Sequence, residues 1–200
     1  METTKVNFSA SVLVKKSAAQ IKYLRDNPTY EVSENALIGE QFQHAIAKEL
    51  NADEEMSTRL ELDEIVLYAS HDIVTDKYVQ EIKSVFGEAP QWYLESSILQ
   101  TAFYKSMIML STGKMLTSAF RVAQGYESKS IEVSTDIEYR LKFGEDVYVV
   151  EVSNPKAIVD YFAQKAKSTF DYDTAREYDR MHKFKHFQEC SKYFKYNRLS

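Results

Sequence analysis

Asp72 and the Glu81-x-Lys83 triplet lie in two neighbouring apolar segments, LYASHDIVTD and YVQEIKSV, and Gln100 and Tyr104 stand four apart in LQTAFYKSM just after them. Two carboxylates and a lysine at the lip of a sheet are enough to hold Mg²⁺, with Mn²⁺ as an alternative, and to activate water. Hard cations of this kind favour oxygen ligands, with waters completing the octahedron. The chemistry implied is metal-assisted hydrolysis. Lys83 would stand beside the attacking water, helping to deprotonate or orient it.

Such chemistry needs elements that bring these residues together. IVLYASHDIVT and YVQEIKSVF are rich in β-branched and aromatic residues, so both read as strands. Thr75, Asp76 and Lys77 between them form a polar link of hairpin length. Two such strands set Asp72 beside Glu81. Glu81 and Lys83 are two apart and share a face, while Ile82 points away. The backbone carbonyl of Ile82 is then a further candidate ligand. A second triplet, Glu127-Ser128-Lys129, has no clear strand before it and reads as a solvated loop.

Upstream, SENALIGEQFQHAIAKEL has Ala36, Phe42, Ile46 and Leu50 at helical spacing behind a capping Ser33 or Asn35. Glu40, Gln43 and His44 share one face of that helix and are candidates for a polar group beside the two carboxylates. Downstream, QWYLESSILQTAFYKSMIML is apolar almost all round and reads as a buried helix. Trp92, Ile98, Leu99, Phe103, Met107 and Leu110 are its core candidates. Gln100 is the odd member, because a buried amide needs partners. Tyr104 can offer its hydroxyl to a phosphate while its ring packs inward.

In order along the chain, NFSASVL, IGEQFQHAI, SHDIV, QEIKS and LQTAFYK resemble the motifs of the PD-(D/E)XK nuclease superfamily, in its RecB-like, RecE-like and phage lambda exonuclease-like branch. The matches span roughly residues 7 to 110. The resemblance implies a central mixed sheet flanked by helices, an α/β core of the restriction-endonuclease type. It also implies phosphodiester hydrolysis in DNA, favouring exonuclease action on ends. Carried over, Asp72 and Glu81 are metal ligands and Lys83 the water-activating lysine. Gln100 and Tyr104 support the site and the DNA backbone, and Ser9 and Ser11 match a Ser-x-Ser opening. The family's first-helix His or Glu falls four residues after the glycine. Four beyond Gly39 is Gln43, with His44 one later, so His44, Gln43 and Glu40 stay open for that role. The proline that names the superfamily is replaced by His71. Ring assembly in this family makes a homo-oligomer an open partner class.

Composition sets bounds on this. At 200 residues the chain fits one domain with a sizeable core, about 7–155, and a helical extension, about 156–200. No run is long enough to span a membrane and no secretory signal opens the chain, so an intracellular location is expected. Cys190 is the only cysteine, which excludes a four-cysteine iron–sulfur cluster. The net charge of −5 argues against a nucleic-acid binder, but its distribution is uneven. Lys156 to Ser200 carries ten Lys+Arg against six Asp+Glu, a net of +4 that leaves −9 on the rest. The tail MHKFKHFQECSKYFKYNR interleaves lysines with aromatics, as an amphipathic helix or a nucleic-acid contact would.

Further elements are a first helix over SVLVKKSAAQIKYLRD, ended by Asn27-Pro28, and a strand or loop over 116–128. A hairpin in IEVSTDIEYRLKFGEDVYVVEV turns at Phe143 to Asp146 and extends the sheet. A helix opens at Asn154-Pro155 and runs to about Lys167, followed by a last long helix from near Asp173. Two other function classes fit the same residues: a non-catalytic binding module on a nuclease fold, and a structure-specific or restriction-type endonuclease.

Overall fold

A computed structural model describes residues 5–28, 53–74, 78–85, 89–113, 117–124, 127–130, 137–140, 145–182 and 185–199. The fold is α/β, a mixed sheet with helices packed on it. The first strand β1 (Val6–Ser9) runs directly into α1 (Ala10–Lys15), and α2 (Ala18–Asp26) follows. One continuous helix was expected here. It breaks at Lys16, whose backbone is extended, because Ser17 starts a new cap. The Ser17 hydroxyl accepts from Gln20 N and the Gln20 side chain accepts from Ser17 N, a reciprocal capping box.

Three strands follow, β2 (Asp53–Glu61), β3 (Ile65–Val74) and β4 (Tyr78–Val85), and then the long helix α3 (Gln91–Thr112) and β5 (Thr117–Gln124). β4 and β5 are parallel, so α3 is their crossover and lies against the sheet. It is buried from Ser97 to Ile108 and ends at Gly113, whose φ of 69° is the left-handed conformation that favours glycine. Trp92 and Leu110, expected in the core, are 69 % and 42 % exposed. Both belong to turns of α3 that lie outside its buried stretch.

Two corrections concern the middle of the chain. Glu127 to Ser130 is a strand, β6, paired antiparallel with β7 (Ile137–Arg140) in a separate two-stranded sheet. β7 therefore pairs with β6 and not with β8 (Glu145–Val152), which joins the main sheet against β5. The expected hairpin has its two strands in different sheets.

Asn154 caps α4 (Pro155–Ser168) by accepting from Ala157 N, with proline in its first turn. The C-terminal helices α5 (Tyr172–His182) and α6 (His186–Cys190) are present, but the chain does not finish as a helix. After one 3₁₀ turn it becomes β9 (Phe194–Leu199), antiparallel to β8. Phe194 and Tyr196 alternate with Lys195 and Asn197, a period of two that suits an edge strand. Among the described residues no helix is long and apolar enough to cross a membrane.

The main sheet runs β1–β3–β4–β5–β8–β9, with β2 also on β3. β2 follows one edge of β3 along most of its length. On the other edge, among the described residues, β1 pairs with Ile65 to Tyr68 and β4 with Ile73 and Val74. The sheet is thus forked, and β3 from Ala69 to Asp72 faces the fork. The core behind it joins α1, α3 and α4, with Phe103 and Phe162 stacked at 4.3 Å and both fully buried.

One ionisable group sits deep in that core. Lys165 is wholly buried, donates to the Leu13 carbonyl at 2.8 Å and lies 2.9 Å from His186 Nε2. Tyr161 holds His186 Nδ1 at 2.6 Å. Burial pushes Lys165 down to about 7 and His186 down to about 4. Above pH 7 the unfolded chain therefore binds the proton that folded Lys165 has lost, so stability rises with pH from about 7 toward 9. The slope contributed approaches about 1.4 kcal/mol per pH unit. Above pH 9 the buried Cys190 thiol, pushed up to about 12, works in the opposite direction. Thermal melts of wild type and Lys165→Met between pH 7 and 9 check this. The variant is expected to lose most of the slope; an unchanged slope would assign it to other groups.

Candidate active site

The fork in the sheet assembles the candidate residues. The β3–β4 register that pairs Ile73 with Gln80 sets Asp72 opposite Glu81, at the point where the two strands part. β4 presents Glu81 and Lys83 on one face. α3 crosses over that face and lowers Gln100 and Tyr104, one turn apart, onto Glu81. α1 begins beside the fork because β1 ends against Tyr68.

Glu81 is the centre of the cluster and is 3 % exposed. Its Oε1 accepts from Lys83 Nζ and, at 2.6 Å, from Gln100 Nε2. Its Oε2 is buried with no hydrogen-bond partner among the described residues. Burial pushes Glu81 up to about 7, with Lys83 opposing and Asp72 adding to the rise. For Lys83, burial favours the neutral amine, but Glu81 and Asp72 outweigh it and hold the ammonium above its ordinary value. Asp72 is partly exposed and interacts with both.

Gln100 Nε2 also donates to the Tyr104 hydroxyl at 2.9 Å, so the amide nitrogen finds its partners inside the site, while Gln100 Oε1 is buried without a partner among the described residues. Tyr104 is 4 % exposed, and burial beside Glu81 raises its pKa, which keeps the hydroxyl protonated. Ser11 lies beside the same hydroxyl, and Ser9 and Ser11 share a bond of 2.9 Å. His71 packs edge-on against the Tyr104 ring, with centroids 5.0 Å apart, and shares a 2.7 Å bond between Nε2 and Thr58 Oγ1. Burial lowers His71 to about 4, so it is a neutral packing group at ordinary pH.

Asp72, Glu81, Lys83, Gln100, Tyr104, Ser9 and Ser11 are therefore brought into one neighbourhood. Ile82 lies between Glu81 and Lys83 in the β4–β5 ladder, opposite Arg121. Glu40, Gln43 and His44 lie outside the described residues. Among the described residues no group of three or more His, Cys, Asp or Glu side chains gathers at one point. The oxygen donors in view are the Asp72 and Glu81 carboxylates. They fit a hard cation, because Glu81 Oε2 is a buried carboxylate oxygen without a donor among the described residues and Asp72 stands opposite Glu81 in the register.

Two residues at the site were missed. Lys15 on α1 interacts with Lys83, Glu81 and Asp72; desolvation, then Lys83, lower its pKa. Tyr93 on α3 interacts with Lys83 and Glu81, and burial raises its pKa. Both carried a signal in their spacing. Lys15 is four residues beyond Ser11, and Tyr93 is seven before Gln100, so each shares a helix face with a recognised residue.

No family model matches the chain, and no curated protein matches it. Among solved structures it is similar to the crystal structure of a protein designated SSO0001, with 13 % identity and a TM-score of 0.54 over 86 % of this chain and 80 % of that one. It is also similar to a proposed exonuclease from Eubacterium rectale, with 14 % identity and a TM-score of 0.35 over 91 % of this chain and 69 % of that one. The likeness to SSO0001 is one of fold.

Proposed function

We propose that the chain is a metal-dependent nuclease of the PD-(D/E)XK type that hydrolyses DNA phosphodiesters from an end. One observation carries the reading: a buried carboxylate, Glu81, bound by Lys83 and Gln100 and set opposite Asp72 where the sheet forks. Burying such a charge costs stability, and a purely structural role is better served by apolar residues.

Asp72 and Glu81 would hold Mg²⁺ or Mn²⁺, with the Ile82 carbonyl and a group from Glu40, Gln43 or His44 as further donors. The ion, when bound, supplies Lewis-acid stabilisation of the phosphate and lowers the pKa of water. Lys83, held as an ammonium by its two carboxylate neighbours, neutralises charge that grows on the phosphate oxygens. Gln100 fixes the Glu81 side chain and the Tyr104 hydroxyl at once. Tyr104, protonated and held by Gln100, orients a backbone oxygen of the substrate.

End-labelled linear duplex DNA and closed circular DNA, incubated with Mg²⁺ or Mn²⁺, test this directly. Degradation of the linear form alone, stopped by a chelator, is the expected result. Cutting of the circle would make the enzyme an endonuclease. A folded protein that cleaves neither form would favour the second reading, a binding module on a nuclease fold. One feature supports that alternative: Lys83 and Gln100 already occupy Glu81 Oε1.

A further inference from the structure

A recess of about 510 Å³ opens beside the site, between α1, α2 and the helices α5 and α6. Lys15, Lys16, Arg176 and Arg180 line it, and all four are exposed. Among the described residues no ion pair joins any of them to a carboxylate. The one carboxylate in the lining, Asp179, is turned onto Ala18 N and Ala19 N at 2.7 and 2.9 Å, where it completes the amino end of α2. In a chain of net charge −5, four cations around one hollow are a local departure from composition. A shallower hollow of about 390 Å³ adjoins it, sharing Lys16 and Gln20 and edged by Tyr23 and Leu24. Tyr23 is 56 % exposed. The recess also leads to the candidate cluster along α1, where Ser11, beside Tyr104, and Lys15, which interacts with Lys83, Glu81 and Asp72, share a helix face.

We propose that this recess and its Tyr23 shelf bind a single-stranded nucleic-acid segment, its phosphates on Lys15, Lys16, Arg176 and Arg180 and a base on Tyr23. Cations that track the backbone beside an aromatic ring that stacks a base are the two parts of single-strand recognition. A duplex would present phosphates but no free base face to Tyr23. The proposal deepens the nuclease reading by giving the strand a path away from the Asp72–Glu81–Lys83 centre, but binding is measured without cleavage.

The test is fluorescence anisotropy of a labelled oligothymidylate of about twelve nucleotides, in chelator, over a range of salt. Wild type, Arg176→Ala/Arg180→Ala and Tyr23→Ala are compared. The double variant is expected to weaken binding about tenfold or more and to reduce the log–log salt slope by about 1.4, since each single-strand phosphate contributes about 0.7. Tyr23→Ala is expected to weaken binding about tenfold with the slope unchanged. Unchanged affinity in both variants would overturn the proposal, as would tighter binding of a duplex or an affinity no better than for inorganic phosphate. The substituted side chains are exposed, so unchanged melting temperatures confirm folding. If wild type cleaves no DNA and the variants still lose binding, the recess stands and the nuclease reading falls. If wild type cleaves DNA and the variants bind normally, the reverse holds.

Discussion

Glu81→Gln is expected to reduce metal-dependent DNA cleavage by about a thousandfold or more while leaving the melting temperature unchanged or raised. The substitution keeps the shape and an acceptor oxygen for Lys83 and Gln100, so the hydrogen bonds at Oε1 survive. It replaces the unpartnered, buried Oε2 with a neutral amide group. Removing a desolvated charge relieves the burial that pushes Glu81 up to about 7. The same change withdraws an anionic oxygen from the candidate cation site and removes the carboxylate charge that holds Lys83 as an ammonium. Cleavage assays on linear duplex DNA beside thermal denaturation separate the two effects. Equal losses in both would mark Glu81 as a structural residue. Full cleavage by Glu81→Gln would remove it from the centre altogether.

Phe103→Ala is expected to destabilise the fold by about 3–5 kcal/mol. Phe103 is fully buried and stacks on Phe162, so truncation leaves a cavity between α3 and α4 that rigid neighbours cannot fill. For a chain of this size each kcal/mol corresponds to about 2–4 °C, and a fall of about 10 °C in Tm follows. Phe103 adjoins Tyr104 and lies three residues from Gln100. Any loss of cleavage in this variant should therefore track the unfolded fraction and recover on cooling. Denaturant titration and activity at two temperatures check it. A loss below about 1 kcal/mol would mean that α3 and α4 collapse together more readily than close packing suggests.

The grouping of Asp72, Glu81, Lys83, Gln100 and Tyr104 was legible in the sequence because its parts are local patterns. β3 and β4 are runs of β-branched and aromatic residues around a short polar link, and that arrangement alone sets Asp72 near Glu81. Glu81 and Lys83 share a face through the two-residue period of a strand, and Gln100 and Tyr104 share one through the helical period. Lys15 and Tyr93 escaped notice because a lysine at a helix end and a tyrosine in a first turn have ordinary uses. Only the crossing of α1 and α3 over the fork gives them a shared neighbour.

Where reading failed, the deciding contact was distant. The first helix divides at Ser17, and Asp179, far along the chain, completes the new amino end. The basic, aromatic tail suits a helix face and an edge strand about equally, and pairing with β8 made Phe194–Leu199 a strand. β6 and β7 took each other as partners instead of extending the main sheet. Trp92 and Leu110 are as apolar as their neighbours, but α3 is longer than the core that covers it. By itself the sequence determined the α/β class, the strands that carry Asp72, Glu81 and Lys83, and the helix that carries Gln100 and Tyr104, since hydrophobic period and turn chemistry act within a few residues. Tertiary structure alone decided the fork between β1 and β4, the burial of Glu81 and the basic recess beside it, because strand partners and packed surfaces come from segments that local pattern cannot see.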